Sequence, residues 1–311
     1  MGPVRIPRLW FSHKLSSPSL PLPLPLYQAT YFSTSFAERP IKPHSTPFLP
    51  SLLRTRNMAT AAPLAPIEEA KRLAAYTAVD KHVFPEHQVI GIGSGSTVPY
   101  VVERIMQQGR EANKNRIFVP TGFQSKELII SAGLRLGDLD QYPKLDVTID
   151  GADEVDSGLN CIKGGGACQL REKVLAEAAE TWVVVADYRK NSSILGTNYA
   201  PGIPIEVVPF AYAAVLKKLH ALGSTKATLR LAKMKAGPVV SDNSNFVIDA
   251  TFPPEQMKDP SKLLRQIKLL TGVVEVGLFC QMAKAAYFGN QDGSVTIKWE
   301  DGKVESIAAS Q

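Results

Sequence analysis

Between residues 89 and 186 a short apolar run, a turn and a helically spaced segment recur, with a fourth run closing the series. This alternation constrains the fold more than any other feature. The runs are residues 89–92, 117–119, 145–149 and 182–186. Each is too short for a buried helix and is bounded by glycine or charged turn residues, so each reads as a buried strand. The segments between have helical character: VPYVVERIMQQG closes on Gly109, FQSKELIISAG closes on Gly133, and a third helix spans about 170–181. A first helix starts at Pro66, with Ile67, Ala70, Leu73, Ala74 and Ala78 on one face. Strands alternating with helices at this spacing predict a doubly wound, Rossmann-like parallel sheet of the α/β class. Ligands in such sheets sit at the carboxyl ends of strands. Residues 93–97, 150–153 and 187–190 fall there.

The pattern changes after about residue 195. PIEVVPF, AYAAVLKKLHALG, ATLRLA, VSDNSNFVIDATF, SKLLRQIKLL and VVEVGLF read as strand, helix, strand, strand, helix, strand. That order predicts a second, smaller ferredoxin-like α+β domain. The tail, AKAAYFGNQDGSVTIKWEDGKV, reads as short strands with Asp-Gly turns that return to the first domain. The expected organisation is a leader over 1–60, a catalytic domain over 61–197 and 284–311, and the small domain over 198–283.

Charge is informative only through its location. The net charge is +6, and residues 1–57 alone hold seven cations against one anion, Glu38. The remaining 28 cations and 28 anions balance, so the basic pI is no argument for a nucleic-acid partner. The same leader holds 10 of the 23 prolines and is expected to be disordered. Cation-rich and nearly acid-free, it has the composition of an organellar transit segment. Its proline density opposes the amphipathic helix that import requires. The expected location is therefore cytoplasmic, with mitochondrial import the alternative, and Met58 reads as an ordinary protein start. No apolar run reaches the ~18 residues of a membrane span. Three cysteines without a CxxC spacing suggest neither disulfides nor zinc.

The chemistry concentrates in LDVTIDGADEVDSGLNCIKGGGACQLREK, residues 145–173. Asp150, Asp153, Glu154 and Asp156 follow a strand end, and Lys163 precedes Gly164, Gly165 and Gly166. A cation beside a glycine turn suits a developing oxyanion. Glu172, just past that turn, could move a proton on a carbon next to a carbonyl, although an acid in a first helical turn also suits the helix dipole. The aspartates suit either sugar hydroxyls or a magnesium ion. Lys190 follows another strand end, where a surface lysine is also commonplace. Upstream, GSGST joins a strand to a helix. Ser94, Ser96 and Thr97 offer hydroxyls beside free helix-terminal N–H groups, an anion site best suited to phosphate. A plain N-cap is the simpler reading. The loop is neither a Walker A motif, lacking Gly-Lys-Ser/Thr, nor a clean dinucleotide fingerprint, having Ser96 in place of the third glycine.

These motifs together resemble the A-type ribose-5-phosphate isomerase family. GIGSGST (91–97), VPTGFQS (119–125), DGADEVD (150–156), IKGGGACQLREK (162–173), ADYRK (186–190), SDNSNFVID (241–249) and GVVEVGLF (272–279) occur in that family's order. Gly122 stands where serine is expected, and Val276 where relatives are often polar. The resemblance implies reversible isomerisation of ribose 5-phosphate and ribulose 5-phosphate, with no metal and no organic cofactor. The expected partners are a small-molecule sugar phosphate substrate, no nucleic acid, no membrane, and further copies of the chain in a homodimer or homotetramer. Glu172 is then the base, and Lys163 stabilises the enediolate. Asp150 or Asp153 would help shuttle protons among the sugar oxygens. Ser94, Gly95, Ser96, Thr97, Asp150, Gly151, Ala152, Asp153, Lys163, Gly164, Gly165, Gly166 and Lys190 contact substrate, with Lys71 near the site.

Three other classes fit parts of the chain. A sugar-phosphate sensor on a related fold would carry a helix-turn-helix module before residue 66, and none is evident. A coenzyme A transferase would need a second large half. A metal-dependent phosphatase would be chelator-sensitive.

Overall fold

The structure, a computed structural model, describes residues 64–309. The expected leader over 1–60 lies outside them. The chain runs α1 (Pro66–His82), β1 (Val89–Ile92), α2 (Val98–Gln107), α3 (Arg110–Asn113), β2 (Ile117–Pro120), α4 (Phe123–Ser131), β3 (Leu145–Asp150), β4 (Glu154–Val155), β5 (Cys161–Ile162), α5 (Gln169–Ala178) and β6 (Ala179–Asp187). It continues through β7 (Ile203–Val207), α6 (Tyr212–Ala221), β8 (Lys226–Leu229), β9 (Phe246–Thr251), α7 (Pro254–Met257), α8 (Pro260–Lys268) and β10 (Val273–Val276). The last strands are β11 (Leu278–Phe279), β12 (Ala285–Gly289), β13 (Val295–Trp299) and β14 (Val304–Ile307).

The large sheet has the order β14-β13-β12-β6-β3-β1-β2. β12, β6, β3, β1 and β2 are parallel, and β13 and β14 are added antiparallel at one edge. Its parallel strands are buried on both faces, which is why they read as continuous apolar runs. In β6, Val183 and Val185 face a core shared with α1 and α2. Trp182, Val184 and Ala186 face the opposite core, which includes Ala176 of α5. Helices therefore cover both faces, and each fully buried Val, Leu or Ile contributes about 1.5–3 kcal/mol. The winding direction reverses between β1 and β3, the place where doubly wound sheets open a crevice at their carboxyl ends.

The second sheet is antiparallel, order β10-β7-β9-β8, the ferredoxin-like arrangement. α6 and α8 cover one face with Val215, Leu219, Leu263 and Ile267. A third, three-stranded sheet, β11-β5-β4, takes β4 and β5 from the chain between β3 and β6 of the large sheet and β11 from between β10 and β12.

That third sheet splits the VVEVGLF run, read above as one strand, into β10 and β11. The break is Gly277. A Cβ there would lie 2.1 Å from the Lys163 carbonyl oxygen and 2.8 Å from that of Pro204. The Gly277 N–H donates to Pro204 O, and its carbonyl accepts the Lys163 N–H at 2.9 Å. Gly277 thus lets β10 leave the small sheet and seat the Lys163 backbone. Another difference is at β6, which begins at Ala179 where the sequence suggests helix to 181. Pairing of Ala179 with Leu145 on β3 overrides the local pattern.

Candidate active site

A cavity of about 310 Å³ opens at the carboxyl ends of β1, β3 and β6. Its first wall depends on Gly93. A Cβ at that position would lie 2.0 Å from Asp150 Oδ1. Without one, Asp150, the last residue of β3, tucks beneath the turn that follows β1. Its Oδ1 accepts the N–H of Ser94 at 2.8 Å and of Gly151 at 2.7 Å. The turn then leads into α2, whose start carries no side-chain cap. The plain N-cap reading of GSGST therefore does not hold. Among the described residues no hydrogen bond uses the Ser96 or Thr97 hydroxyl, which leaves both for a ligand anion.

The second wall is a buried charge cluster. Lys163 follows β5, and its ammonium lies 3.0 Å from Asp150 Oδ2 and 3.3 Å from Glu172 Oε1. It also donates to the Gly151 carbonyl. Glu172 sits in the first turn of α5. Its Oε1 accepts the Ser94 hydroxyl at 2.5 Å, and Oε2 has no hydrogen-bond partner among the described residues. Asp150, Lys163 and Glu172 are 0%, 2% and 3% exposed, so little water screens their charges. Burial pushes the Glu172 carboxyl up to about 7; Lys163 opposes the rise and Asp150 adds to it. Burial also disfavours the Lys163 ammonium, but Asp150 and then Glu172 outweigh it and hold Lys163 above the usual lysine range. The cluster thus pairs a fixed cation with a carboxylate poised to gain or lose a proton near neutral pH.

Between these walls runs the glycine turn. The Gly165 N–H donates to Asp153 Oδ2 at 2.7 Å. Such an arrangement can hold an anion at one end and move a proton at the other. Among the described residues no three His, Cys, Asp or Glu side chains cluster as metal ligands would. No helix among them is long and apolar enough to cross a membrane.

The family described as ribose 5-phosphate isomerase A (phosphoriboisomerase A) matches residues 117–293. A ribose-5-phosphate isomerase of Mycosarcoma maydis is 70% identical over 247 residues, covering 79% of this chain and 86% of that protein. One from Cryptococcus neoformans is 69% identical over 252 residues, covering 78% and 83%. The chain belongs to the ribose 5-phosphate isomerase A family. Solved structures of such isomerases share its fold. The ribose 5-phosphate isomerase A of Methanocaldococcus jannaschii superposes with a TM-score of 0.66 at 33% identity, covering 78% of this chain and 99% of that one. A D-ribose-5-phosphate isomerase in complex with phospho-erythronic acid gives 0.68 at 35% identity, with the same coverage.

In this isomerase-family chain the cavity is lined by Ser94, Gly95, Ser96, Thr97, Gly151, Ala152, Asp153, Lys163, Gly164, Gly165, Gly166, Glu172 and Lys190, all singled out from sequence. Two other candidates are not on its wall. Asp150 is fully buried behind Lys163, its Oδ1 taken by two backbone N–H groups and its Oδ2 facing the ammonium. Lys71, on α1, donates to Glu68 at 2.7 Å. Lys71 is thus engaged in an ion pair within its own helix.

The wall also includes residues not named as candidates above. Phe123 and Gln124 begin α4; the Gln124 side-chain Oε1 accepts the Gly95 N–H at 2.8 Å. Asp242 comes from the loop before β9, and its carboxylate accepts the Phe123 N–H at 2.9 Å. Cys168, Ala186 and Asp187 complete the wall. Gln124 and Asp242 fall inside two of the motifs that carry the resemblance, VPTGFQS and SDNSNFVID, which was the available signal.

Proposed function

We propose that this cavity binds ribose 5-phosphate, opens it, and interconverts it with ribulose 5-phosphate through an enediolate. The chain is an aldose–ketose isomerase by its family, and this reaction belongs to the non-oxidative branch of the pentose phosphate pathway. The observation that carries the residue assignment is the buried Glu172–Lys163 pair at 3.3 Å, with the carboxyl at about 7. A general base works best when its pKa lies near the working pH. Glu172 takes the proton from C2 of the open aldose and returns it to C1. Lys163 and the Gly166 N–H stabilise the oxyanion that develops between O1 and O2. The phosphate sits at the start of α2, against Ser96 and Thr97. Asp153, on the wall, takes the proton shuttle among the sugar oxygens. Asp150, behind the wall, holds Lys163 rather than substrate.

Phospho-erythronic acid, bound by the solved relative, supports this reading. It joins a phosphate to a carboxylate, whose two oxygens carry charge much as an enediolate does. We further propose a cytoplasmic enzyme acting as a homodimer or homotetramer. Purified protein, stripped of metal by EDTA, should convert ribose 5-phosphate to ribulose 5-phosphate. No turnover of that sugar phosphate would overturn the reading, and loss of activity restored by magnesium would make the aspartates metal ligands.

A further inference from the structure

We propose that Arg230, which lies outside the cavity, is a positioning residue for this isomerisation. It pins the Gly165 carbonyl, and together with the Ala167 N–H the Gly164 carbonyl, away from the substrate, and so turns the Gly166 N–H towards it. The inference rests on the functional reading above. Arg230 follows β8 in the small sheet. Its backbone is fixed by hydrogen bonds to Val247 O at 2.8 Å and from the Val239 N–H at 2.9 Å. Its head group is fixed by a two-pronged pair with Asp249 on β9, Nε to Oδ2 at 2.8 Å and Nη2 to Oδ1 at 2.5 Å. The remaining nitrogen, Nη1, donates to Gly164 O at 2.9 Å and Gly165 O at 3.1 Å.

The consequence follows from peptide geometry. The described residues contain no cis peptide. In a trans peptide the carbonyl and the following N–H point in opposite directions. Gly164 O also accepts the Ala167 N–H at 2.9 Å, and with that oxygen turned towards Arg230 the Gly165 N–H points the other way, where it meets Asp153 on the cavity wall. Holding Gly165 O sends the Gly166 N–H the other way too. Gly166 lines the cavity, and its N–H has no partner among the described residues. The small sheet thereby sets the aim of an oxyanion donor it never touches. A guanidinium can do this because its planar fork satisfies Asp249 and both carbonyls together; an ammonium cannot span that geometry. A pair serving only to staple β8 to β9 would be complete with Asp249 alone.

The test compares Arg230→Lys, Arg230→Met and Asp249→Asn with wild type. Thermal melting establishes folding, kcat and KM are measured with ribose 5-phosphate, and affinities are measured for phospho-erythronic acid and inorganic phosphate. For Arg230→Lys and Arg230→Met, kcat should fall about 10- to 100-fold, the scale of a donor moved by an ångström. Phospho-erythronic acid should weaken by a similar factor while KM and inorganic phosphate change little. Lysine should rescue little despite its charge, and Asp249→Asn should fall between. Folded Lys and Met variants with wild-type kcat and wild-type affinity for phospho-erythronic acid would overturn the proposal. So would a loss shared equally by inorganic phosphate, which would make Arg230 a general charge or a structural staple. Should Arg230→Met not fold, the Lys and Asn variants decide by the same readouts. Failure of the functional reading is distinguishable, because wild type itself would then neither turn over ribose 5-phosphate nor bind phospho-erythronic acid.

Discussion

Replacing Asp150 with asparagine tests the charge cluster at its base. The amide keeps the size and can still accept from the Ser94 and Gly151 N–H groups, but it removes the charge facing Lys163. At 3.0 Å and an effective dielectric of about 20, that attraction is on the order of 5 kcal/mol. Removing one partner of a buried pair costs about 3–5 kcal/mol. Lys163 keeps Glu172 at 3.3 Å, so the lower end applies. A loss of about 3 kcal/mol lowers Tm by roughly 6–12 °C in a domain of this size. The kinetic signature is separate. Asp150 is one of the groups that raise the Glu172 pKa, and Lys163 opposes it. Without Asp150 the ammonium acts on Glu172 alone, and the carboxyl drops below about 7. The acid limb of kcat/KM should therefore move to lower pH, even as kcat falls because Lys163 is held less firmly. Thermal unfolding and a pH–rate profile measure the two effects. An Asp150→Asn protein that melts like wild type and keeps its acid limb would refute the reasoning.

Ser94→Ala should move the same limb the other way: the Ser94 hydroxyl bond lowers the Glu172 pKa, so its loss raises the limb and reduces kcat/KM at neutral pH. Glu172 also links stability to pH. Its carboxyl rises from 4.5 to about 7 on folding, so its stabilising contribution is full below about 4.5 and is lost as pH rises through about 7. Urea midpoints should then show Glu172→Gln gaining on wild type across that window; parallel curves would count against a raised carboxyl. Ser96→Ala and Thr97→Ala should each raise KM, by about 0.5–2 kcal/mol of lost binding, and weaken inhibition by inorganic phosphate. Unchanged values in both would move the phosphate elsewhere.

The parallel strands were readable because burial on both faces leaves an uninterrupted apolar signature, as in Val183, Val184 and Val185. The strands β4, β5 and β11 were not, since two residues carry no periodicity. Gly277 inside VVEVGLF looked like an ordinary strand residue; only the approach of the Lys163 and Pro204 carbonyls gives it meaning. At the site, Lys163, the three glycines and Glu172 stood out because their residue types are costly outside a functional loop. The part played by Asp150 did not, because the direction of its carboxylate is set by the missing side chain of Gly93. Arg230 was beyond reach altogether, 66 residues from the carbonyl it holds. Contacts that depend on how two sheets meet leave no local pattern.

The central claim is that Glu172 carries the proton between C1 and C2. The most direct measurement is exchange of the C2 hydrogen of ribose 5-phosphate with solvent deuterium, by wild type and by Glu172→Gln, alongside kcat. Glutamine keeps the shape and can still contact the sugar, so KM should change little. The account predicts exchange by wild type, none by the variant, and a fall in kcat of about 10²–10⁴, the span of a lost general base. A variant that kept near-normal kcat and still exchanged deuterium would give the proton transfer to another residue, with Asp153 on the cavity wall next in line.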